Sequence, residues 1–256
     1  RGDRLPGDCV VAWIERPIYR LLGTRTDAGM SWRGYAGAFL LSNAVLALVV
    51  WVIFMTQAWL PLNPDGIPNM SWDLALHTMV SFLTNTNQQH YAGQAQLSYL
   101  AQMSAIVGLQ VITPVMGLAL AAATLRGLFG SRQPEAAGTA IDVGNYWVDV
   151  TRATLRFMLP LCLVLTLLLS WQGVPATLAA GPVAHPVDTS AGAPTQKIPL
   201  GPVAPMVAIK QLGSNGGGWY GPNSTVPLEN PTPFSNFLQT LAIALIPVSI
   251  IFMVGP

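Results

Sequence analysis

Residues 71–90 read SWDLALHTMVSFLTNTNQQH, and residues 203–218 read VAPMVAIKQLGSNGGG. In the first stretch an apolar segment runs straight into an unbroken polar one, Thr84-Asn85-Thr86-Asn87-Gln88-Gln89-His90. Ser71 is a good N-cap, and Asp73 sits in the first turn, where a carboxylate meets the helix dipole favourably, so a helix is predicted over 71–83. Crossing a hydrocarbon core takes about 20 residues, so this helix fits a segment that enters the membrane and turns back. The second stretch has the same plan. Gly201 to Pro205 lead into a short helix over 203–212, and a loop at 213–218 follows.

Working outward, long apolar runs flank both stretches: about 35–60 and 97–125 around the first, 157–174 and 234–256 around the second. Trp51 and Trp59 suit a membrane interface near the outer end of the first run. Pro114 and Pro247 are expected to kink the second and fourth. Thr84-Asn85 aligns with Ser214-Asn215 at an offset of 130, and Ser98, Leu100 and Gln102 align with Ser235, Phe237 and Gln239 at an offset of 137. The chain is therefore read as an all-α integral membrane protein made of tandem span–pore-helix–filter–span repeats. The expected segments are a cytoplasmic N-terminal segment (1–33), a first pore repeat (34–128, filter 84–89), a cytoplasmic loop (129–151) and a second pore repeat (152–256, filter 213–218).

Composition and charge agree with that plan. Hydrophobic residues make up 52% of the 256 and charged residues only 9%, against about 25% charged in soluble domains. Arg1, Arg4, Arg16, Arg20, Arg25 and Arg33 precede the first run, and Arg126, Arg132, Arg152 and Arg156 lie between the second and third. No basic residue lies between Gly34 and Leu125, and only Lys197 and Lys210 follow Trp171. This is the positive-inside pattern of four spans, with both Arg-rich segments facing the cytoplasm. Arg152 and Arg156 are read as orientation signals. With Cys9 in a cytoplasmic segment and Cys162 in a span, neither a structural disulfide nor a cysteine-rich metal site is expected. Arg1 is not an initiator Met and the chain stops within an apolar run, so a segment of a longer product is expected.

Irregular backbone survives at membrane depth only where protein or a water-filled cavity satisfies it. A short helix ending at such a loop turns its negative dipole end, roughly half a charge, toward the pathway. Loop carbonyls can then replace an ion's hydration shell. Gly216, Gly217 and Gly218 permit the required backbone conformations, and Asn85 and Asn87 tolerate the left-handed region. No Asp, Glu, Lys or Arg occurs between Leu74 and Leu125 or between Gly213 and Asn223. Divalent sites rely on carboxylates and anion pores on Arg or Lys, so the residues favour a monovalent cation, potassium or sodium.

The run Thr84 to Tyr91, the run Ile209 to Gly218 and the sequence Glu229-Asn230-Pro231-Thr232-Pro233 closely resemble the first two filter regions of the potassium-transporting ATPase A subunit family. The resemblance covers nearly the whole chain, and Trp72 to Leu76 fit it too. It implies two of the four repeats of a potassium transporter superfamily member. The function implied is that of the non-hydrolytic, potassium-selective subunit of an ATP-driven uptake complex in the bacterial inner membrane. The partners implied are KdpB, a separate P-type ATPase subunit, with KdpC and KdpF. No Asp-Lys-Thr-Gly phosphorylation motif occurs in this chain, which suits that division of labour, and no cofactor is expected.

Carried over, the filter residues are Thr84, Asn85, Thr86, Asn87 and Gln89, with Ser214, Asn215, Gly216, Gly217 and Gly218, flanked by Lys210 and Gly213. The family usually has Thr where Ser214 stands and paired Phe where Trp219-Tyr220 stand. The alternatives are a stand-alone potassium channel or symporter of the same superfamily, and a membrane enzyme or scaffold that uses polar loops for packing. Against an enzyme, the span interiors lack the carboxylates and histidines that proton or metal chemistry needs.

Gln102, Gln110 and Gln239 are read as interhelical hydrogen-bonding residues rather than ion ligands. His77 is expected to pack within the pore helix, and His90 and His185 to face outward without partners. Lys210, near the end of the second pore helix, is expected either to offset that helix's dipole or to shape the field near the ion.

Overall fold

The computed structural model describes residues 8–129, 142–188, 190, 192, 194–221 and 223–254. Residues 1–7, most of the expected cytoplasmic loop, the Cys9 side chain and residues 255–256 lie outside what is described.

An N-terminal helix α1 (Asp8–Leu21) precedes the long α2 (Trp32–Thr56), which closes in a 3₁₀ turn, Gln57–Trp59. The short α3 (Trp72–Leu83) and a single turn α4 (Gly93–Gln96) follow. A π-helical segment, Ala101–Ile106, then runs into α5 (Val107–Phe129). In the second half α6 (Tyr146–Arg152), a π segment (Ala153–Met158) and α7 (Leu159–Trp171) form one continuous rod. A two-residue hairpin pairs β1 (Val183–Ala184) with β2 (Gln196–Lys197), before the short α8 (Val203–Leu212) and the long α9 (Pro233–Val254).

Among the described residues, four helical stretches are long and apolar enough to cross a membrane: Trp32–Trp59, Ala101–Phe129, Tyr146–Trp171 and Pro233–Ile250. Their surfaces fit lipid. Leu40, Leu41, Val45, Leu48, Val49 and Val52 of α2 are all exposed, and only Tyr35, Val50 and Phe54 of that helix are buried. A helix apolar all round, with most of its surface uncovered, is at home in a bilayer and not in water. This is an all-α, multi-pass membrane fold.

The third span starts eleven residues earlier than the apolar run at 157–174 predicts, at Tyr146 and within the expected loop 129–151. Charges at 149, 152 and 156 disguise its start, and the structure pairs two of them. Arg126 holds Asp149 at 2.5 Å and 3.0 Å, and Arg156 donates to Glu15 at 2.6 Å and 2.9 Å. Asn145 caps the helix by accepting the Val148 amide. Pro160 lacks an N–H, and the π segment directly precedes it, where the regular hydrogen-bond ladder is interrupted.

The N-terminal segment and the loop before α6 pack together at one end. Met30 N donates to the Gly144 carbonyl, and Asn145 Nδ2 donates to the Ala28 carbonyl. At the other end Tyr99 Oη donates to the Leu200 carbonyl, and Lys197 pairs with Asp65. Gln57, fully buried, joins the connection before α3 to the one after α4. Its Nε2 donates to the Pro68 and Gln96 carbonyls, each at 2.8 Å, and its Oε1 accepts the Ser98 amide at 3.0 Å.

The core lies around the two short helices, with Phe54, Phe82, Ile106, Met206, Ile209 and Trp219 fully buried. In lipid, packing and interhelical hydrogen bonds replace the hydrophobic effect as the source of association. The polar contacts described next therefore carry weight in the fold as well as at the site.

Candidate functional site

The first short helix begins at Ser71, whose backbone is extended (φ −62°, ψ 149°), but the Ser71 hydroxyl does not cap a backbone amide. Asp73, in the first turn, is held below the usual carboxylate range, the nearby Ser71 hydroxyl and the amides of Asp73 and Leu74 favouring its charged form.

At their far ends the two helices close alike. Leu83 and Leu212 are the last helical residues, and Thr84 and Gly213 follow in near-helical conformation. Asn85 and Ser214 then turn left-handed, with φ of 60° and 51°. The hydrogen bonds match in register: Thr84 N to Val80 O and Gly213 N to Ile209 O, then Asn85 N to Phe82 O and Ser214 N to Gln211 O. The structural offset here is 129, one less than the sequence alignment of Thr84-Asn85 with Ser214-Asn215 implies. Asn85 corresponds to Ser214, and the shared identity of Asn85 and Asn215 misleads by one position.

Ser81 organises the first loop. Its carbonyl accepts the amides of Thr86 and Asn87, and its hydroxyl bonds both the amide and the carbonyl of Gln88. Asn87 is buried in left-handed conformation at φ 55°, and neither atom of its side-chain amide has a protein partner. The Thr84 and Thr86 hydroxyls lie 3.0 Å apart, and both residues are exposed.

The second loop is bound to the first repeat at three points. Gln89 Oε1 accepts the Gly218 amide at 2.8 Å. Gln110 Nε2, from α5, donates to the Gly216 carbonyl at 2.8 Å. Asn215 Nδ2 donates to Asn85 Oδ1 and to the Gln110 carbonyl, each at 3.0 Å, and Thr113 Oγ1 donates to the same Asn85 oxygen at 2.9 Å. Among the three glycines only Gly217 is left-handed, at φ 76°. The structure thus brings Asn85, Asn87 and Gln89 against Asn215, Gly216, Gly217 and Gly218, while Thr84 and Thr86 bond each other and the Ser214 hydroxyl bonds the Ile243 carbonyl. Thr84, Asn85, Gly213 and Ser214 line an open cavity of about 420 Å³ together with Pro114 and Pro247.

Gln239 makes the expected interhelical bond, accepting from Gln211, and donates to the Glu229 carbonyl, whereas Gln110 reaches the second loop at Gly216 and not another helix. Gln102 is buried without a protein partner. His77 does not pack within its helix. It is exposed, and its ring lies 4.5 Å from that of His90, so the two histidines pair. Trp219 and Tyr220, which stand where the family usually has Phe, are buried. The Trp219 indole lies against Tyr99 and fills the space beside Gly201, where any Cβ would collide with it. Tyr220 Oη donates to the Pro199 carbonyl at 2.9 Å.

The residues that sequence reasoning missed are Ser81, Gln57 and Glu229. Glu229 had a signal, since it and Lys210 are the only charged residues after Lys197. It is fully buried and accepts from the Lys210 ammonium and from the Tyr220 and Ser224 amides. Among the described residues no group of three or more His, Cys, Asp or Glu could hold a metal ion.

Fold and site together define a polytopic membrane protein in which two short helices end alike at neighbouring polar loops. The chain belongs to the potassium-transporting ATPase A subunit family, whose profile matches residues 1–256. Relatives described as potassium-transporting ATPase potassium-binding subunits include one from Pseudomonas putida, 46% identical over 96% of this chain and 42% of its own length. Another, from Alicyclobacillus acidocaldarius, is 45% identical over 99% of this chain and 43% of its own length. A third, from Gloeobacter violaceus, is 43% identical over 100% of this chain and 44% of its own length. The chain spans less than half the length of these relatives.

Proposed function

We propose that this chain supplies half of a potassium-selective filter in the ion-binding, non-hydrolytic subunit of an ATP-driven uptake complex. The observation that carries this reading is the convergence of two matched helix ends on loops free of ionisable side chains, joined by the Gln89–Gly218, Gln110–Gly216 and Asn85–Asn215 bonds. Each helix end contributes roughly half a negative charge without a carboxylate, which favours a weakly hydrated monovalent cation. A carbonyl oxygen has two acceptor directions, so Gln110 takes one at Gly216 and leaves the other for an ion. Thr84, Asn85, Thr86, Asn87 and Gln89 form one side of the filter, and Ser214, Asn215, Gly216, Gly217 and Gly218 form the other. The relatives' names support an ATPase partner; the resemblance adds KdpB as a separate ATPase subunit, KdpC and KdpF as further partners, and the bacterial inner membrane as the place.

The test is uptake by a potassium-uptake-deficient bacterium carrying the full operon, native or Gly216→Asp, with potassium limiting and sodium in excess. Native cells are expected to accumulate potassium, and the variant to need much more of it. Equal behaviour of the two would remove the filter assignment.

A further inference from the structure

The fold buries Lys210 and Glu229 almost completely, at 2% and 0% exposure. Lys210 lies in the last turn of α8, next to the end that faces the second loop, and its ammonium donates to Glu229 Oε2. The same oxygen accepts the Ser224 amide at 3.0 Å, and Oε1 accepts the Tyr220 amide at 3.2 Å. The Glu229 carbonyl accepts from Gln239 Nε2 at 3.0 Å, which ties this point to α9. Gly218 lies directly on the carboxylate, since a Cβ added there would sit 3.1 Å from Oε1 and 3.3 Å from Oε2. Gly218, the Tyr220 amide and the Ser224 amide all meet this single side chain.

We propose that Lys210 and Glu229 form a neutral strut that fixes the backbone leaving the second filter and keeps an unpaired ammonium from facing the ion. Glu229 is then a positioning residue for cation selectivity. The proposal rests on the filter reading above.

Stability alone does not account for the pair, because replacing a buried ion pair by apolar residues is often neutral or stabilising. Its geometry and its charge account for it better. The carboxylate offers acceptors to two backbone amides at once. A glutamine would turn a donor toward one of them. The dipole at the end of α8 amounts to roughly half a negative charge, and a lone ammonium beside it would outweigh that and repel a cation. Contact with Glu229 cancels the ammonium where it stands.

The test uses the full-length protein with its partner subunits in cells lacking other potassium uptake. Three quantities are read: the potassium concentration for half-maximal uptake, its rise with added sodium, and the maximal rate per assembled complex. Glu229→Gln is expected to raise the half-maximal concentration roughly tenfold, with the maximal rate per complex changed less than about twofold. Glu229→Asp is expected to recover part of the loss. A packing role alone would move assembly and maximal rate, not this split. If the single variant fails to assemble, the double variant Lys210→Met with Glu229→Gln removes the unpaired buried charge and keeps the volume. It is expected to assemble and still show weakened potassium preference.

Gly217→Ala in the filter serves as the reference. If it is impaired while the double variant matches native protein in half-maximal potassium and sodium exclusion, the strut is overturned. If Gly217→Ala also behaves as native, the filter reading itself falls.

Discussion

Gln89 Oε1 accepts the backbone amide of Gly218 at 2.8 Å, so a side chain from the first loop holds the main chain of the second. The bond crosses between repeats, and it ends on a buried glycine with no side chain to hold it.

Gln89→Ala leaves that buried amide unpaired, which costs about 1–3 kcal/mol. The expected outcome is a rise of roughly tenfold in half-maximal potassium, since about 1.4 kcal/mol corresponds to that factor. Rubidium and potassium uptake at limiting concentration checks it. An unchanged half-maximal concentration would mean that Gly218 holds its position without Gln89.

The three consecutive glycines are expected to differ sharply in tolerance. A Cβ at Gly217 would meet Gln89 Oε1 and Phe82 Cζ at 3.0 Å, at a left-handed φ of 76°. A Cβ at Gly216 would meet only the Asn223 side chain at 3.6 Å and 3.8 Å and Asn87 at 3.8 Å, all ordinary contacts. Gly217→Ala should therefore impair potassium affinity severely, by about 1–2 kcal/mol from the backbone alone, and Gly216→Ala should have little effect. Parallel uptake curves for the two variants decide the point. Equal impairment would show that the spacing of the carbonyls, and not Gly217's conformation, is limiting.

Gly201 and Trp219 are expected to behave as a coupled pair. A side chain at Gly201 runs into the indole, so Gly201→Ala should destabilise by about 1–3 kcal/mol, as overpacking does. Trp219→Phe should relieve most of that loss. A double-mutant cycle on the melting temperature of the purified complex measures the coupling. Additive losses would place the strain elsewhere.

Asp149 lies at the opposite end of the fold from the outer loops. It receives Arg126 through two bonds and the Tyr35 hydroxyl at 3.0 Å. Asp149→Asn weakens a charge-assisted, two-pronged pair and should lower stability by about 1–3 kcal/mol. Half-maximal potassium should stay unchanged in complexes that assemble. Thermal melting read beside uptake separates the two effects.

The two short helices were legible because their signals are local: an apolar stretch too short to span, ended by residues that tolerate left-handed backbone. Asn85 and Asn87 both adopt that conformation, as their chemistry suggests. Ser214 adopts it too, and nothing in a serine announces it. The register of the repeat was misread because an Asn–Asn identity outweighed the helix ends, which only hydrogen bonds reveal. The start of the third span was hidden because Asp149, Arg152 and Arg156 look like loop charges until Arg126 and Glu15 are placed beside two of them. Gln57 works through backbone groups 39 and 41 positions away, and Glu229 through amides five and nine positions before it in an irregular loop, and no spacing rule in a single sequence points to such partners. His77 and His90 sit thirteen positions apart, so their pairing depends on how the loop returns past the helix.

The matched closure of the two short helices lasts only as far as Asn85 and Ser214. In the first loop the next left-handed residue is Asn87, two positions on; in the second it is Gly217, three positions on. One extra residue on one side gives the two loops different backbone paths between their left-handed turns. In the proposed filter the two walls therefore differ in backbone path, and each answers to its own substitutions. Four identical subunits must change every wall at once. Repeats fused in one chain can adjust them one at a time.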